Sequence, residues 1–405
     1  MNKKLLTATG YFYLMSYALV VTTIGPCNKP ISDTFGINER AMGLLISAHY
    51  AGFIITTIYA GYLVEKIGLK PVMVGSIFLL GITLIGFGMS WSAPVLFIMM
   101  FFTGVGGGAV ESAINALISS VHSETRVYSL NMLHMFFGVG AFIWPVIAGS
   151  ILKNGTSWQT LYIIIGIFSL FMGLVMFIQK FPEVTFGEKV SFRDTLSMMR
   201  IPSVVVIGGV VALYVGGEIG INAWIVRYFD REVLNGVPFS HTLKFGVGAH
   251  VLAFTLTSGI FQSLYWFTMT VGRFFVTFTA KSVPDYLLLR VLTLGSAICA
   301  IATFIVRDAV SASIFLGLTG FFFSGIFATA IATGGNRFPD KLGQISGIII
   351  CFSGIGNVVL NAAIGEVAQR AGNIRAGMLF ASAILVGMTI CAFAVKKQPK
   401  VSGAS

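Results

Sequence analysis

The chain has 405 residues, of which 56% are hydrophobic and only 10% are charged, and its mean hydropathy is +0.88. Soluble domains are about 45–50% apolar and about 25% charged, so this composition excludes a water-soluble enzyme and a disordered chain. The net charge of +11 would suggest a nucleic-acid partner in a soluble protein, but here the basic residues lie in short loops between apolar runs. We therefore expect membrane lipid, and no nucleic acid, around this chain.

Twelve apolar segments are long enough to cross a bilayer, since a transmembrane helix needs about 20 apolar residues. The first six lie at about 5–27, 41–64, 71–90, 93–121, 128–152 and 158–179. The second six lie at about 201–229, 256–279, 286–306, 310–333, 343–366 and 374–395. The pattern predicts an all-α membrane protein with six-helix bundles at 1–180 and 201–405, joined by a linker at 181–200.

The distribution of lysine and arginine predicts the orientation of these spans. About 16 of the basic residues fall on the side of the termini and the linker, against about 9 on the other side. The positive-inside rule then places both termini and the linker in the cytoplasm, in a bacterial-type inner membrane. The first span is too long for a cleaved signal peptide, so we expect the N-terminus to be kept. On the outer side, 230–255 is predicted to be a long loop.

The two predicted bundles are related by a sequence repeat. Three glycines of the fifth span match three glycines of the eleventh: Gly138 with Gly354, Gly140 with Gly356, and Gly149 with Gly365. The offset along the chain is the same in the three pairs (354 minus 138, 356 minus 140, 365 minus 149), and it also carries Thr103-Gly104 onto Thr319-Gly320. A register shared over two consecutive helices indicates a parallel repeat of six helices.

The segment after the second span has a characteristic order of glycine, acidic and basic residues: Gly61, Glu65, Lys66, Gly68 and Lys70. It resembles the signature of the major facilitator superfamily, with Glu65 in the place of an aspartate. Together with the twelve spans and the repeat, this resemblance implies the major facilitator fold over the whole chain. The acid can meet a helix N-terminus or a basic partner, so the motif is predicted to be a conformational latch.

Four further stretches are similar to the fucose/glucose proton-symporter group and to sodium-dependent glucose transporter relatives. They are residues 106–115, 130–140, 214–224, and 264–266 with Gly272-Arg273. This resemblance implies a secondary transporter that moves a monosaccharide-like solute by alternating access, coupled to H+ or Na+. It also assigns Arg273 a structural role, which we group with the latch.

Two glutamates lie inside spans, where an ionisable residue costs about 2.5–3.5 kcal/mol at the centre of a helix. Glu111 is followed four residues later by Asn115, and Glu218 is followed four residues later by Asn222. This spacing puts an acid and an amide on one helix face, where they can bind several hydroxyl groups. We predict ion coupling by both glutamates, and substrate binding by Glu218 and the two asparagines. Interhelical packing is the alternative.

His134 lies in the fifth span, next to the fourth, and a histidine near a carboxylate can handle protons. We therefore predict that it takes part in ion coupling beside Glu111, with a packing role as the alternative. The remaining predicted substrate residues are amides and aromatic rings that could bind or stack on a sugar: Asn131, Trp224, Trp266, Asn357 and Asn361.

No nucleotide-binding motif or catalytic triad is present, and the four cysteines have no metal-ligand spacing, so we predict no enzymatic activity, cofactor or metal. We expect a monomer whose partners are a small-molecule substrate, H+ or Na+, and lipid. One alternative is efflux of drug-like or amphipathic compounds by proton antiport, because the fifth span is rich in glycine and contains Pro145. A non-transporting membrane sensor is a second alternative.

Overall fold

The computed structural model describes residues 2–122, 124–182, 198–237, 239–247, 250–280, 282–338 and 342–395. Six helices precede the linker: α1 Lys3–Phe35, α2 Glu39–Ile67, α3 Leu69–Gly88, α4 Ala93–Val121, α5 Arg126–Lys153 and α6 Trp158–Ile178. Seven follow it: α7 Pro202–Tyr228, α8 Gly259–Thr279, α9 Asp285–Ile305, α10 Ala309–Phe323, α11 Ile326–Arg337, α12 Leu342–Ala371 and α13 Ile374–Ala394. Most of the predicted linker, residues 183–197, lies outside the described residues.

Eleven helical segments of the described chain are long and apolar enough to cross a membrane. Helix α8 is not among these eleven, and its polar residues include Gln262 and Arg273. It nevertheless has 21 residues and packs against α5 and α10, at the place predicted for the eighth span. The predicted all-helical membrane fold is confirmed.

The predicted tenth span is not one continuous helix. It consists of α10 and α11, which are separated at Ser324 and Gly325. A Cβ atom on Gly325 would lie 2.5 Å from a methyl group of Val276 on α8 and 3.0 Å from Leu292 on α9. The break therefore lies where the backbone packs closely against two neighbouring helices, which hydropathy along the sequence does not indicate.

The long loop after α7 contains secondary structure that the sequence does not indicate. A π-helical turn at Phe229–Val233 is followed by an antiparallel hairpin of β1 (Ser240–Val247) and β2 (His250–Thr257). From the sequence, the apolar run at 251–256 belongs to the loop or to the start of the eighth span. A short apolar run fits a strand or a helix equally well, so periodicity cannot separate these two possibilities.

Helix packing repeats with the offset predicted from the glycine pairs. A Cβ atom on Gly104 of α4 would overlap the carbonyl oxygen of His49 on α2. Likewise, a Cβ atom on Gly320 of α10 would overlap the carbonyl oxygen of Tyr265 on α8. Tyr265 follows His49 by the same offset that separates Gly320 from Gly104, so both members of this contact keep the repeat. Glycine is needed at both positions because two helix backbones touch.

Contacts between residues 2–182 and residues 198–395, the two halves, follow the same symmetry. The most extensive are made by α2 with α12, α5 with α8, and α1 with α7. Gly138 of α5 faces Thr270 of α8, and Gly354 of α12 faces Ile54 of α2. Again both partners are related by the repeat offset. We call the end of the molecule where α6 ends and α7 begins the linker face, and the end where α2 begins the Glu39 face.

Candidate functional site

The two glutamates inside the spans lie at the interface between the halves. Glu111 is on α4, somewhat nearer the linker face, and Glu218 is on α7, somewhat nearer the Glu39 face. The two carboxyl groups interact electrostatically with each other, and both interact with Tyr50 of α2. Glu218 is only 7% exposed. Each half therefore contributes one acid to a largely buried part of the interface.

Buried tyrosines surround these acids. Tyr17 of α1 interacts electrostatically with Glu111, and the Tyr214 hydroxyl donates a hydrogen bond to the carboxylate of Glu218. The Tyr265 hydroxyl of α8 donates to the backbone carbonyl of Glu218 over 3.4 Å. Hydroxyl groups both donate and accept, so this lining can bind a polar solute as well as a protein carboxylate.

Arg273 of α8 brings a positive charge to the site. It interacts electrostatically with Glu218 and with His134 of α5, and its Nη1 atom donates to the His134 carbonyl oxygen over 3.4 Å. His134 was predicted to lie beside Glu111, but the charged side chain that interacts with it in the structure is Arg273. Arg273, which we grouped with the latch, thus lies between α5 and the acid of α7.

Asn222 lies one helical turn from Glu218 toward the Glu39 face, and it is fully buried. Its Oδ1 atom accepts hydrogen bonds from Gln262 Nε2 at 2.8 Å and from Trp266 Nε1 at 2.7 Å. Its Nδ2 atom donates to the Val21 carbonyl of α1 over 3.3 Å. In this conformation the predicted substrate residue therefore connects α7, α8 and α1.

Three other predicted substrate residues lie on α4, α7 and α8. Asn115 donates from Nδ2 to the Glu111 carbonyl oxygen at 2.8 Å. The ring of Trp266 packs edge-on against Phe137, with 5.8 Å between ring centres. Trp224 is fully buried, and its Nε1 atom has no hydrogen-bond partner in the described structure.

Asn357 and Asn361 of α12 offer free acceptors. They are 4% and 0% exposed, and Asn361 Nδ2 donates to the Asn357 carbonyl oxygen at 2.8 Å. Neither side-chain Oδ1 atom has a hydrogen-bond partner among the described residues. Because buried polar atoms are normally satisfied, these two oxygens are available to a solute or to water.

The predicted latch lies at the linker face. Gly68, between α2 and α3, has a φ angle of +90°, a conformation that favours glycine. The Lys66 Nζ atom lies 5.7 Å from the centre of the Tyr62 ring, and Lys70 Nζ lies 5.3 Å from the centre of the Phe177 ring. The surroundings of three predicted residues lie outside the described part of the structure: Gly61, Glu65 and Asn131.

Ion pairs join the two halves at the Glu39 face. Glu39 of α2 binds Arg227 of α7 at 2.8 Å and Arg231 at 3.1 Å. In the reverse direction, Glu366 of α12 binds Arg40 of α2 at 2.9 Å. Because each half supplies an acid to an arginine of the other half, these pairs hold the Glu39 face closed.

Sequence reasoning missed several of these residues: Gln262, Tyr17, Tyr50, Tyr214, Glu39 and Glu366. The neutral members carry no charge that would stand out in an apolar span. The two acids lie at helix ends, where charged residues are ordinary. A buried amide in the span that contains Gln262 was the one available signal, since polar side chains inside membranes usually have partners.

Two pseudo-symmetric helical halves around a polar interface are the architecture of a secondary transporter. The chain matches the Major Facilitator Superfamily over residues 10–361, and it belongs to that family. It is therefore a multi-pass integral membrane protein and a transporter, not an enzyme. Members of this family bind small-molecule substrates and typically couple their transport to ions.

Proteins called TsgA are similar to the chain over nearly their whole length. It is 24% identical over 397 residues to the Protein TsgA homolog of Buchnera aphidicola subsp. Baizongia pistaciae, covering 96% of this chain and 95% of the relative. It is 23% identical over 387 residues to Protein TsgA of Shigella boydii serotype 18, covering 94% and 92%.

Two solved transporters share the fold. The nucleoside transporter NupG matches with a TM-score of 0.78 at 12% identity, over 98% of this chain and 100% of that one. The fucose:proton symporter FucP of E. coli matches with a TM-score of 0.64 at 19% identity, over 98% of both chains. At these identities the likeness shows the fold alone.

Proposed function

We propose that the protein moves a small polar solute, a monosaccharide, by alternating access coupled to H+ or Na+. The observation that carries the proposal is the pair of Glu111 and Glu218, because one acid from each half lies in the buried interface and interacts electrostatically with the other. Two charged carboxylates repel each other in a low-dielectric interface. A bound proton or cation removes that repulsion, and so favours the conformation in which the halves meet around the acids.

The surroundings of the acids support a hydroxylated solute. Tyrosine hydroxyls, the Asn115 amide and the free oxygens of Asn357 and Asn361 supply donors and acceptors from both halves. Aromatic rings such as Phe137 and Trp266 supply apolar faces on which a pyranose can stack. A ring with several hydroxyl groups and an apolar face matches this combination.

The test is solute uptake by reconstituted vesicles. Replacing Glu111 by Gln keeps the size and hydrogen bonding of the side chain but removes its titration. We expect Glu111→Gln to abolish accumulation against a gradient while exchange across the membrane continues. Glu218→Gln should weaken solute binding by roughly 1–3 kcal/mol, the usual cost of losing a charged acceptor.

Glu124, an exposed acid in the loop between α4 and α5, provides the matched control. Glu124→Gln should change neither uptake nor exchange. Unaltered transport in both Glu111→Gln and Glu218→Gln would contradict the proposal and leave these acids as packing contacts.

Substrate class is assigned by a thermal-shift screen of sugars, organic anions and cationic drugs. Stabilisation by the drugs alone would favour efflux of amphipathic compounds.

A further inference from the structure

Where it faces the other half, helix α1 has a backbone carbonyl that receives no hydrogen bond from its own helix. Pro26 has no N–H group, so the carbonyl of Thr22, four residues earlier, lacks its usual helical donor. Gln262 of α8 supplies the missing donor, because its Nε2 atom lies 3.1 Å from the Thr22 carbonyl oxygen. Thr22 and Gln262 are both 0% exposed. A proline in one half is thus matched by an amide from the other.

Gly25 provides the space for this amide. A Cβ atom on Gly25 would overlap the Oε1 atom of Gln262. Gly25 and Pro26 together therefore form a notch in α1 that exposes the Thr22 carbonyl. The Gln262 side chain fills this notch and donates to that carbonyl. The Nε2 atom also donates to Asn222 Oδ1 at 2.8 Å. Since both neighbours of this atom are acceptors, the orientation of the amide is fixed, and its Oε1 atom has no partner among the described residues.

The notch lies between the acids and the Glu39 face. Asn222 is one turn beyond Glu218 on α7, and the next turn brings Arg227 to Glu39. Between these levels, Asn28 Nδ2 of α1 donates to the Ala223 carbonyl at 3.0 Å. Opening the protein at the Glu39 face must separate α1 from α7 and α8, and therefore break these bonds. A buried polar group that loses its partner is costly, so the released groups need new partners.

We propose that Gln262 exchanges hydrogen-bond partners during transport. With the Glu39 face closed, it fills the Gly25–Pro26 notch and seals the passage. With that face open, Gln262 and Asn222 bind polar groups of the solute, which replaces the bonds to α1. The proposal rests on the proposed function for the nature of the solute, whereas the seal itself is a property of the protein alone.

The seal is tested by electron–electron distance measurements between spin labels on protein in lipid nanodiscs. One pair of labels is placed at the exposed positions Asn154 and Arg307, at the Glu39 face. A second pair is placed at the exposed positions Glu124 and Ser282, at the linker face. Two variants break the same contact from opposite sides: Gly25→Ala and Gln262→Leu. We expect both to lengthen the first distance and shorten the second.

Gly75→Ala is the matched control, because a Cβ atom on this helical glycine meets nothing within 4 Å. It should leave both distances unchanged. The double variant of Gly25→Ala with Gln262→Leu should shift the distances no further than either single variant, since all three lose the same contact. Unchanged distances in Gly25→Ala and Gln262→Leu would overturn the seal.

Measurements of solute binding distinguish two roles of Gln262: binding the solute, or only sealing the passage. Binding of D-glucose, D-galactose and L-fucose is measured on the same proteins. We expect Gln262→Leu to lose at least about tenfold in affinity, as for a lost hydrogen bond with a polar group left unpaired. Gly25→Ala, which frees the amide, should keep or gain affinity. Equal affinities in the two variants would overturn the exchange of partners. If the unmodified protein binds none of these sugars while the distances shift as expected, the proposed substrate class fails and the seal does not.

Discussion

Tyr214 and Tyr13 are buried tyrosines whose hydroxyl groups have different surroundings. The Tyr214 hydroxyl donates to the carboxylate of Glu218, whereas the Tyr13 hydroxyl has no hydrogen-bond partner in the described structure. Both residues are almost fully buried, at 2% and 1% exposed. A hydrogen bond to a charged group contributes about 1.5–3 kcal/mol, while burying an unpaired hydroxyl is unfavourable.

We therefore predict that Tyr214→Phe lowers the free energy of unfolding by about 1–3 kcal/mol. Tyr13→Phe should leave it unchanged or raise it. Reversible chemical unfolding in detergent micelles measures both. In a Glu218→Gln background the loss from Tyr214→Phe should be smaller, because the donor then meets a neutral acceptor. Equal losses in the two tyrosine variants would mean that hydroxyl packing, and not the bond to Glu218, matters.

Charge inside an apolar span made two of the site residues easy to find in the sequence. Glu111 and Glu218 were identifiable because acids are rare inside spans, and the structure brings them together. The role of Gln262 depends on the carbonyl of Thr22, which lies in the other half of the chain, so no local pattern could assign it. For His134, sequence proximity of α4 and α5 suggested Glu111, but the side chain's charged neighbour, Arg273, comes from the other half.

At the scale of helices, hydropathy predicted where the helices lie along the chain, but not where they are interrupted. The fourth span was predicted at 93–121, which are the limits of α4, because the apolar run and the flanking polar residues coincide. Tertiary packing determines the break between α10 and α11 and the β1–β2 hairpin. Neither can be predicted from the apolar content of the sequence. The glycine repeat carried more information, since it marked the helix crossings themselves.

The crossings at Gly104 and Gly320 yield a prediction about helix packing. Alanine at either position places a methyl group on a neighbouring backbone carbonyl, so the helices must separate. We expect each variant to lower the free energy of unfolding by about 1–3 kcal/mol, the usual cost of overpacking. Thermal unfolding in detergent measures this loss.

Gly75→Ala should instead stabilise the protein slightly, by up to about 1 kcal/mol, because alanine favours the helix and meets no neighbour. The repeat also predicts that Gly104→Ala and Gly320→Ala have similar effects, since the two crossings are equivalent. A loss at only one of them would show that the equivalence of the backbones does not extend to their packing energy.

Charges in the whole molecule are arranged differently at its two faces. At the Glu39 face, acids neutralise arginines across the interface: Glu39 binds Arg227 and Arg231, and Glu366 binds Arg40. The arginines of these pairs are among the roughly nine basic residues on the Glu39 face, which is the side with fewer basic residues. Their presence there serves closure of the halves, so it does not weaken the positive-inside argument.

We predict that the linker face is cytoplasmic. The experiment uses a variant in which the four native cysteines, Cys27, Cys299, Cys351 and Cys391, are replaced by alanine. Single cysteines are then placed at Glu124, exposed at the linker face, or at Asn154, exposed at the Glu39 face. A membrane-impermeant maleimide applied to intact cells should label position 154 and leave position 124 unlabelled, because the basic side is retained inside.

Permeabilised cells provide the control, since both positions must then react if both are accessible. Labelling of position 124 from outside, with position 154 protected, would reverse the orientation. It would also change the meaning of the ion pairs. With the predicted orientation, Glu39 and Glu366 close the outer side and the structure is closed toward the exterior. With the reverse orientation, the same pairs would close the cytoplasmic side, and the Gln262 seal would regulate release into the cell instead of access from outside.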